Sequence, residues 1–480
     1  MKPFSSPSEP DTGPTETGPG GLFDALLAAG AVRAAVDDQA WLRAMLDVEA
    51  ALARAQAALG TVPAAAAEAI TATAQEHRFD LAGIGAGATG AGNPVVPLVA
   101  ALRAAVGPDT GRYVHAGATS QDILDTAAML VVRRALAPLH DDVVWAAAAA
   151  ARLTETHRDT LLPARTLLQQ ALPTTFGLVT AGWLTALDTA ADALATAGDR
   201  VPAVQLGGAA GTLAAFGPTG PALVDRLAAE LGLTAPVLPW HTDRSRLAEL
   251  AGVLGGTAGS ISKIARDVTL HAQTEIAEVV EEQPGGSSTL PHKRNPVAAV
   301  TALACAAQAP GLVATLLASM TQEHQRAAGA WHAEWRPLRS LLESVGSAAY
   351  WLRRCLEGLR VDAVRMRANL DATGGALLAE RVSGALAGQL GRQRANEIVK
   401  AAVTDGPATG LAERLAADPQ VGTVLDRSRL DELLDPAGYL GAYDELIDRA
   451  LHAHHRRPDQ GSADEHRGPS GGPRPRDRRT

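Results

Sequence analysis

Apolar residues stand three and four positions apart along most of this chain, and that spacing predicts helices. The pattern begins near Leu22 and runs through Trp41, Leu42, Met45, Leu46, Val48 and Leu52. From about Asp243 to Glu282, Leu247, Leu250, Leu254, Ile261, Ile264 and Val268 alternate three- and four-residue steps, a coiled-coil-like seam. Gly252, Gly255, Gly256 and Gly259 lie along it and permit close approach of neighbours. At 1.5 Å per residue such a helix would span roughly 60 Å. Between Pro296 and Gln322 no residue is charged. Thr301, Gln308, Pro310 and Ser319 make this stretch too weakly apolar for a membrane span, so it predicts a helix buried on all sides, which calls for neighbours from other copies. Residues 83–97 carry Gly83, Gly85, Gly87, Gly90, Gly92, Pro94 and Pro97 and predict a loop. Beyond Arg353 the pattern shortens, punctuated by Gly374, Gly375, Gly384, Gly388 and Gly391. The expected fold is all-α: a tail at 1–20, helical domains at 21–115, 116–355 and 356–455, and a second tail at 456–480. Pro, Gly, Ser and Thr predict disorder in the first tail, and Arg, Pro and Gly a solvated second one.

Composition sharpens this picture. Of 480 residues 46% are hydrophobic but only 3% aromatic, so the core must be Ala, Leu and Val at close range. Ala and Leu favour helix. A net charge of −9 without a basic stripe argues against nucleic-acid binding. Cys305 and Cys355 have no metal-ligand spacing and read as small core residues. The N-terminus lacks the charged start and apolar block of a secretory signal, which predicts a cytoplasmic protein.

Several segments carry candidate chemistry. Gly285-Gly286-Ser287-Ser288-Thr289-Leu290-Pro291-His292-Lys293-Arg294-Asn295-Pro296-Val297 joins a Gly/Ser loop to three groups that are or can be cationic. Asn295 before Pro296 reads as a helix N-cap, whose free amides favour carboxylates. Thr119-Ser120-Gln121-Asp122 reads as a capping box opening a long helix, with His115 before it as a structural residue. Gln205 to Leu213 is glycine-rich, but no strand precedes it and no Gly-Lys-Ser follows, so phosphate binding is not expected. Glu275, Glu278, Glu281 and Glu282 include no His and read as a solvated helix end rather than a metal site. Trp331 and Trp335 stand one helical turn apart and read as a packing face.

The loop string resembles the mobile-loop motif of the fumarase/aspartase superfamily. Gly-Gly-Ala-x-Gly-Thr at 207–212 and Glu-x-x-Arg-Ala-x-Gly-Ala-Trp-x-x-Glu-Trp at 323–335 resemble its 3-carboxy-cis,cis-muconate cycloisomerase branch. The resemblance implies that Ser287, with Ser288 as second choice, accepts a carbon-bound proton. It implies that Lys293 and Asn295 stabilise the resulting anion. It implies that Asn93, Thr119, Ser120, Arg165, Gln169, His292, Arg294 and Arg326 bind a small tricarboxylate. It implies no metal or organic cofactor, and a homotetramer with shared sites. Two departures from the adenylosuccinate lyase branch stand out. Leu167 occupies the place of its general-acid His, and Gly92-Asn93-Pro94 the place of a His-Asp pair. An amine or hydroxide must be protonated to leave, whereas a carboxylate, with a pKa of about 4, need not be. The expected reaction is therefore carboxylate addition to a double bond, or its reverse. The rivals are an amine-expelling lyase and a catalytically silent helical scaffold.

Overall fold

A computed structural model describes residues 21–286, 289–404 and 410–457. The tail at 1–20, and all of the second tail beyond Arg457, lie outside them. By its contacts the chain divides into two compact units, 21–149 with 186–362, and 150–185 with 363–457.

The first unit is almost wholly helical, as an Ala- and Leu-rich chain requires. Helix α1 (Asp38–Ala58) starts where the Asp37 side chain accepts the Ala40 amide at 2.8 Å. It buries Leu42, Met45, Leu46, Val48 and Leu52. The predicted loop at 83–97 is instead two helices, α2 (Leu81–Ala91) and α3 (Val95–Val106). The glycines of α2 alternate mostly with alanines and weaken the helix without breaking it. The real stop is Gly92, whose φ of 73° no other residue type adopts so cheaply. Pro94 and Pro97 stand at the start of α3, where no intrahelical N–H is needed.

Helix α4 (Ser120–Thr156) follows the predicted cap, and its last turns belong to the second unit. Helix α5 (Ser245–His271) carries the predicted seam, and all six seam residues are buried. It ends sooner than the spacing suggested, so it is about 40 Å long. Of its glycines only Gly255 is closely approached, by Val313 at 3.2 Å from where a Cβ would stand.

The uncharged stretch forms two helices, α6 (Val297–Ala306) and α7 (Ala309–Ala318), with Pro310 in the first turn of the second. By length and composition alone the 297–318 window is apolar enough to cross a membrane. It packs on α5 and on helix α8 (Ala330–Glu357), yet only 33% of it is buried. Burial on all sides is therefore not achieved within one chain: Val300, Leu317 and Met320 stay exposed.

The expected solvated acidic helix end is overturned. After α5 the chain turns into a short strand, Val279–Glu281, paired antiparallel with Leu359–Val361. Strand alternation sends Val279 and Glu281 inward, and Glu278 and Glu281 are buried. The His271 ring meets Glu278 at 2.6 Å. Cys305 and Cys355 are free and buried, as expected.

In the second unit a hairpin pairs Leu161–Thr166 with Gln169–Thr175, an element absent from the all-helical expectation. Short helices such as Ala379–Leu390, Arg392–Thr404 and Leu411–Ala417 close over a core of Val382, Leu386, Ile398, Leu411 and Leu415.

Candidate active site

The first turn of α4 is tied to the glycine-rich segment through Asp122. Its carboxylate accepts the Thr119 amide at 3.0 Å, the Gly207 amide at 2.9 Å and the Gly208 amide at 2.9 Å. The Nε2 of His241 completes the set at 2.7 Å. One turn on, the Thr126 hydroxyl donates to the Gln205 carbonyl at 3.0 Å and accepts the Gln205 amide at 2.8 Å. Gly207 has no alternative here, because a Cβ would lie 2.7 Å from the His241 ring. Thr119 and Ser120 stand half-buried at the rim of this framework.

Two arginines nearby have opposite surroundings. Arg244 is buried and shared by two carboxylates: it donates to Asp125 at 2.8 and 3.1 Å and pairs with Glu334. The Trp331 indole adds a bond to Asp125 at 2.9 Å. Burial opposes the charge on Arg244, but Asp125 and Glu334 prevail and hold its pKa above the ordinary value. This guanidinium is spent on the core. Arg326 is half-buried and meets only uncharged acceptors: Gln121 Oε1 at 2.9 Å, Ala209 O at 2.9 Å and Gly208 O at 3.3 Å. Among the described residues no carboxylate pairs with it. Its full charge therefore remains for an anion.

The loop is pinned at its base. Gly285 and Asn295 exchange amide bonds of 3.0 Å each. A side chain at Gly285 would collide with Val297. His292, Lys293 and Arg294 are exposed beyond this clasp. Ser287 and Ser288 lie outside the described residues. Asn295 is not the N-cap expected of it. Pro296 holds that position with no side-chain bond. The Asn295 carbonyl takes the Val297 amide at 2.9 Å, and buried Glu281 takes those of Ala298 and Ala299 at 3.0 and 2.8 Å. The α6 amides are therefore satisfied internally and are not offered to a substrate.

Asn93 is engaged locally, its Oδ1 accepting the Val95 amide at 3.1 Å and its Nδ2 reaching the Ala91 carbonyl at 3.3 Å. His332 meets the Gly92 carbonyl beside it at 3.0 Å. His115 pairs with buried Glu49 at 2.6 Å. Burial disfavours its charged ring, but the bond to Glu49 and the charge of that carboxylate outweigh this, so its pKa is raised. Arg165 and Gln169 belong to the second unit and flank the hairpin turn at Leu167-Leu168.

Six non-glycine residues among those described have left-handed φ, and five of them, His115, Leu167, Leu168, Leu213 and His324, fall within the segments singled out above. Such conformations cost energy and concentrate at functional sites. The sequence assigns no site reading to His241, Arg244 or Glu49, places Gln121 only in a capping segment and reads Glu281 as part of a solvated helix end. Only the fold reveals what each of them bonds. No group of three His, Cys, Asp or Glu is placed to hold a metal among the described residues.

The family described as lyase matches residues 25–311, and the adenylosuccinate lyase C-terminus matches 375–450. A 3-carboxy-cis,cis-muconate cycloisomerase of Bradyrhizobium diazoefficiens is 48% identical over 438 residues, covering 90% of this chain and 97% of the relative. A nitrosuccinate lyase of Streptomyces davaonensis is 46% identical over 447 residues, covering 90% and 94%. The crystal structure of 3-carboxy-cis,cis-muconate lactonizing enzyme from Pseudomonas putida superposes with a TM-score of 0.86 at 44% identity, covering 91% of this chain and 99% of that one. Matches of this length and identity lead to one conclusion: the chain belongs to the lyase family of the fumarase/aspartase superfamily, with an adenylosuccinate lyase-type C-terminus.

Proposed function

We propose that this enzyme is a 3-carboxy-cis,cis-muconate cycloisomerase, forming 4-carboxymuconolactone in protocatechuate degradation. In the lactone-opening direction Ser287, or Ser288 in its place, takes the proton α to a carboxylate. The electron pair passes into that carboxylate, then forms the double bond as the ring C–O bond breaks, and the oxygen leaves as a carboxylate. Lactonisation is the reverse. Lys293 and Asn295 stabilise the intermediate charge. Thr119, Ser120 and Arg326 hold substrate carboxylates, with Asn93, Arg165, Gln169, His292 and Arg294 as further contacts. The working assembly is a homotetramer with shared sites, a reading supported by the exposed apolar side of α6 and α7.

The observation that carries this reading is Leu167, which offers no proton where an amine-expelling relative needs an acid. The same observation admits a second reading, because nitrite too is a weak base and leaves unprotonated. The nitrosuccinate lyase at 46% identity favours it. One assay separates them. Purified enzyme is given 3-carboxymuconate, nitrosuccinate and adenylosuccinate in turn, and muconate absorbance, nitrite and fumarate are followed. Loss of muconate absorbance is expected. Nitrite release alone would establish the second reading, and turnover of adenylosuccinate would overturn the leaving-group argument.

A further inference from the structure

We infer that Gln121 is the positioning residue of Arg326, and that it links this guanidinium to the buried Asp125–Arg244–Glu334 cluster. The inference rests on the reading of Arg326 as a carboxylate clamp. Gln121 is buried, and its amide has one workable orientation. Nε2 donates to Asp125 Oδ2 at 3.0 Å and to the His241 carbonyl at 2.8 Å. With two acceptors at the nitrogen end, the oxygen must face Arg326, which it does at 2.9 Å. A flipped amide would set N–H groups against the guanidinium and an oxygen against a carboxylate. Asp125 is itself immobilised by Arg244 and Trp331.

The rest of the Arg326 fork rests on the carbonyls of Gly208 and Ala209. The Gly208 amide hangs from Asp122, one residue beyond Gln121 on α4. Adjacent residues of a single helix turn thus set both sides of the guanidinium, one directly and one through the glycine turn. All the acceptors are neutral. A carboxylate at position 121 would set an oxygen against Asp125 and the His241 carbonyl, and would also cancel the charge that a polyanion needs. Glutamine gives position without neutralisation.

The test separates position from charge. Gln121→Met keeps the volume and removes the acceptor. Its KM for 3-carboxymuconate should rise about tenfold while kcat stays within about threefold, since a ground-state contact is lost. Binding of tricarballylate, measured by calorimetry, should weaken in parallel. Arg326→Met should raise KM about a hundredfold. The double variant should be no worse than Arg326→Met, because Gln121 has nothing left to position. If the two effects multiply, Gln121 acts elsewhere and the inference fails. If Arg326→Met leaves KM unchanged, the clamp reading itself fails, which is a different result. Should Gln121→Met not fold, Gln121→Asn serves instead: one methylene shorter, it withdraws the acceptor from Arg326 without adding charge, so KM should rise, and an unchanged KM would overturn the inference.

Discussion

The Glu281 carboxylate accepts the Ala299 amide at 2.8 Å, so the first turn of α6 receives its negative charge from inside the protein. The same carboxylate lies beside Cys355, whose thiol is pushed well above its usual range by burial first and by Glu281 second. Glu281 therefore anchors the chain just before the Gly285–Asn295 clasp and just after it.

Glu281→Gln is expected to destabilise the fold by about 1–3 kcal/mol, because an amide N–H replaces an acceptor facing buried backbone donors. Urea unfolding measures this. KM for the tricarboxylate should hold within about twofold, as these amides do not face the substrate. A large rise in KM at unchanged stability would mean that they do.

Glu334 gives a pH signature. Burial pushes its pKa up to about 7 from 4.5, against the pull of Arg244 and with the push of Asp125. One guanidinium serves two carboxylates, and Asp125 also holds the Trp331 and Gln121 donors, so the surplus proton goes to Glu334. Its pKa is higher folded than unfolded, so the native state binds more protons between these values. Its contribution to stability is full below about pH 4.5 and is lost as pH rises through 7. Urea midpoints across pH 4.5–8 should fall less steeply for Glu334→Gln than for the parent. Parallel curves would refute the assignment.

The helices were legible where spacing and capping agreed. Thr119 and Asp122 announced α4, and the leucine seam announced α5. Residues 83–97 are helical despite their glycine frequency because alanines stand between the glycines and both prolines fall at a helix start. The acidic run misled because Glu278 and Glu281 find donors that are distant in sequence, His271 and the α6 amides. Arg326 stood out in a motif, whereas Arg244, immediately before an ordinary-looking helix start at Ser245, did not. Charge alone cannot tell a guanidinium spent on two carboxylates from one left for a ligand; only the identity of the acceptors does.

Ser287→Ala tests the proposed base. Its kcat should fall about 10²–10⁴-fold, the usual worth of a positioned base. The melting temperature should not move, since the clasp between Gly285 and Asn295 is made by backbone alone. Ser288→Ala should be milder. If the two variants exchange behaviour, the second serine is the base; if neither slows the reaction, the loop hydroxyl has no part in proton transfer.

The hairpin turn offers the sharpest contrast between stability and function. Leu167 and Leu168 have φ of 51° and 64°, conformations that favour Asn and Gly. They are also 97% and 72% exposed, which is a poor use of two leucines in an isolated chain. Leu167→Asn with Leu168→Gly should therefore raise stability by roughly 1–3 kcal/mol, relieving left-handed strain of about 1–2 kcal/mol per residue. If the tip closes over substrate in the assembled enzyme, kcat/KM should drop at least about tenfold in the same variant, because an apolar wall has been replaced by polar and missing side chains. Denaturation and the muconate assay on one protein read both effects. Gain of stability with activity intact would remove Leu167 from the site, and with it the structural reason for a leaving group that departs without an acid.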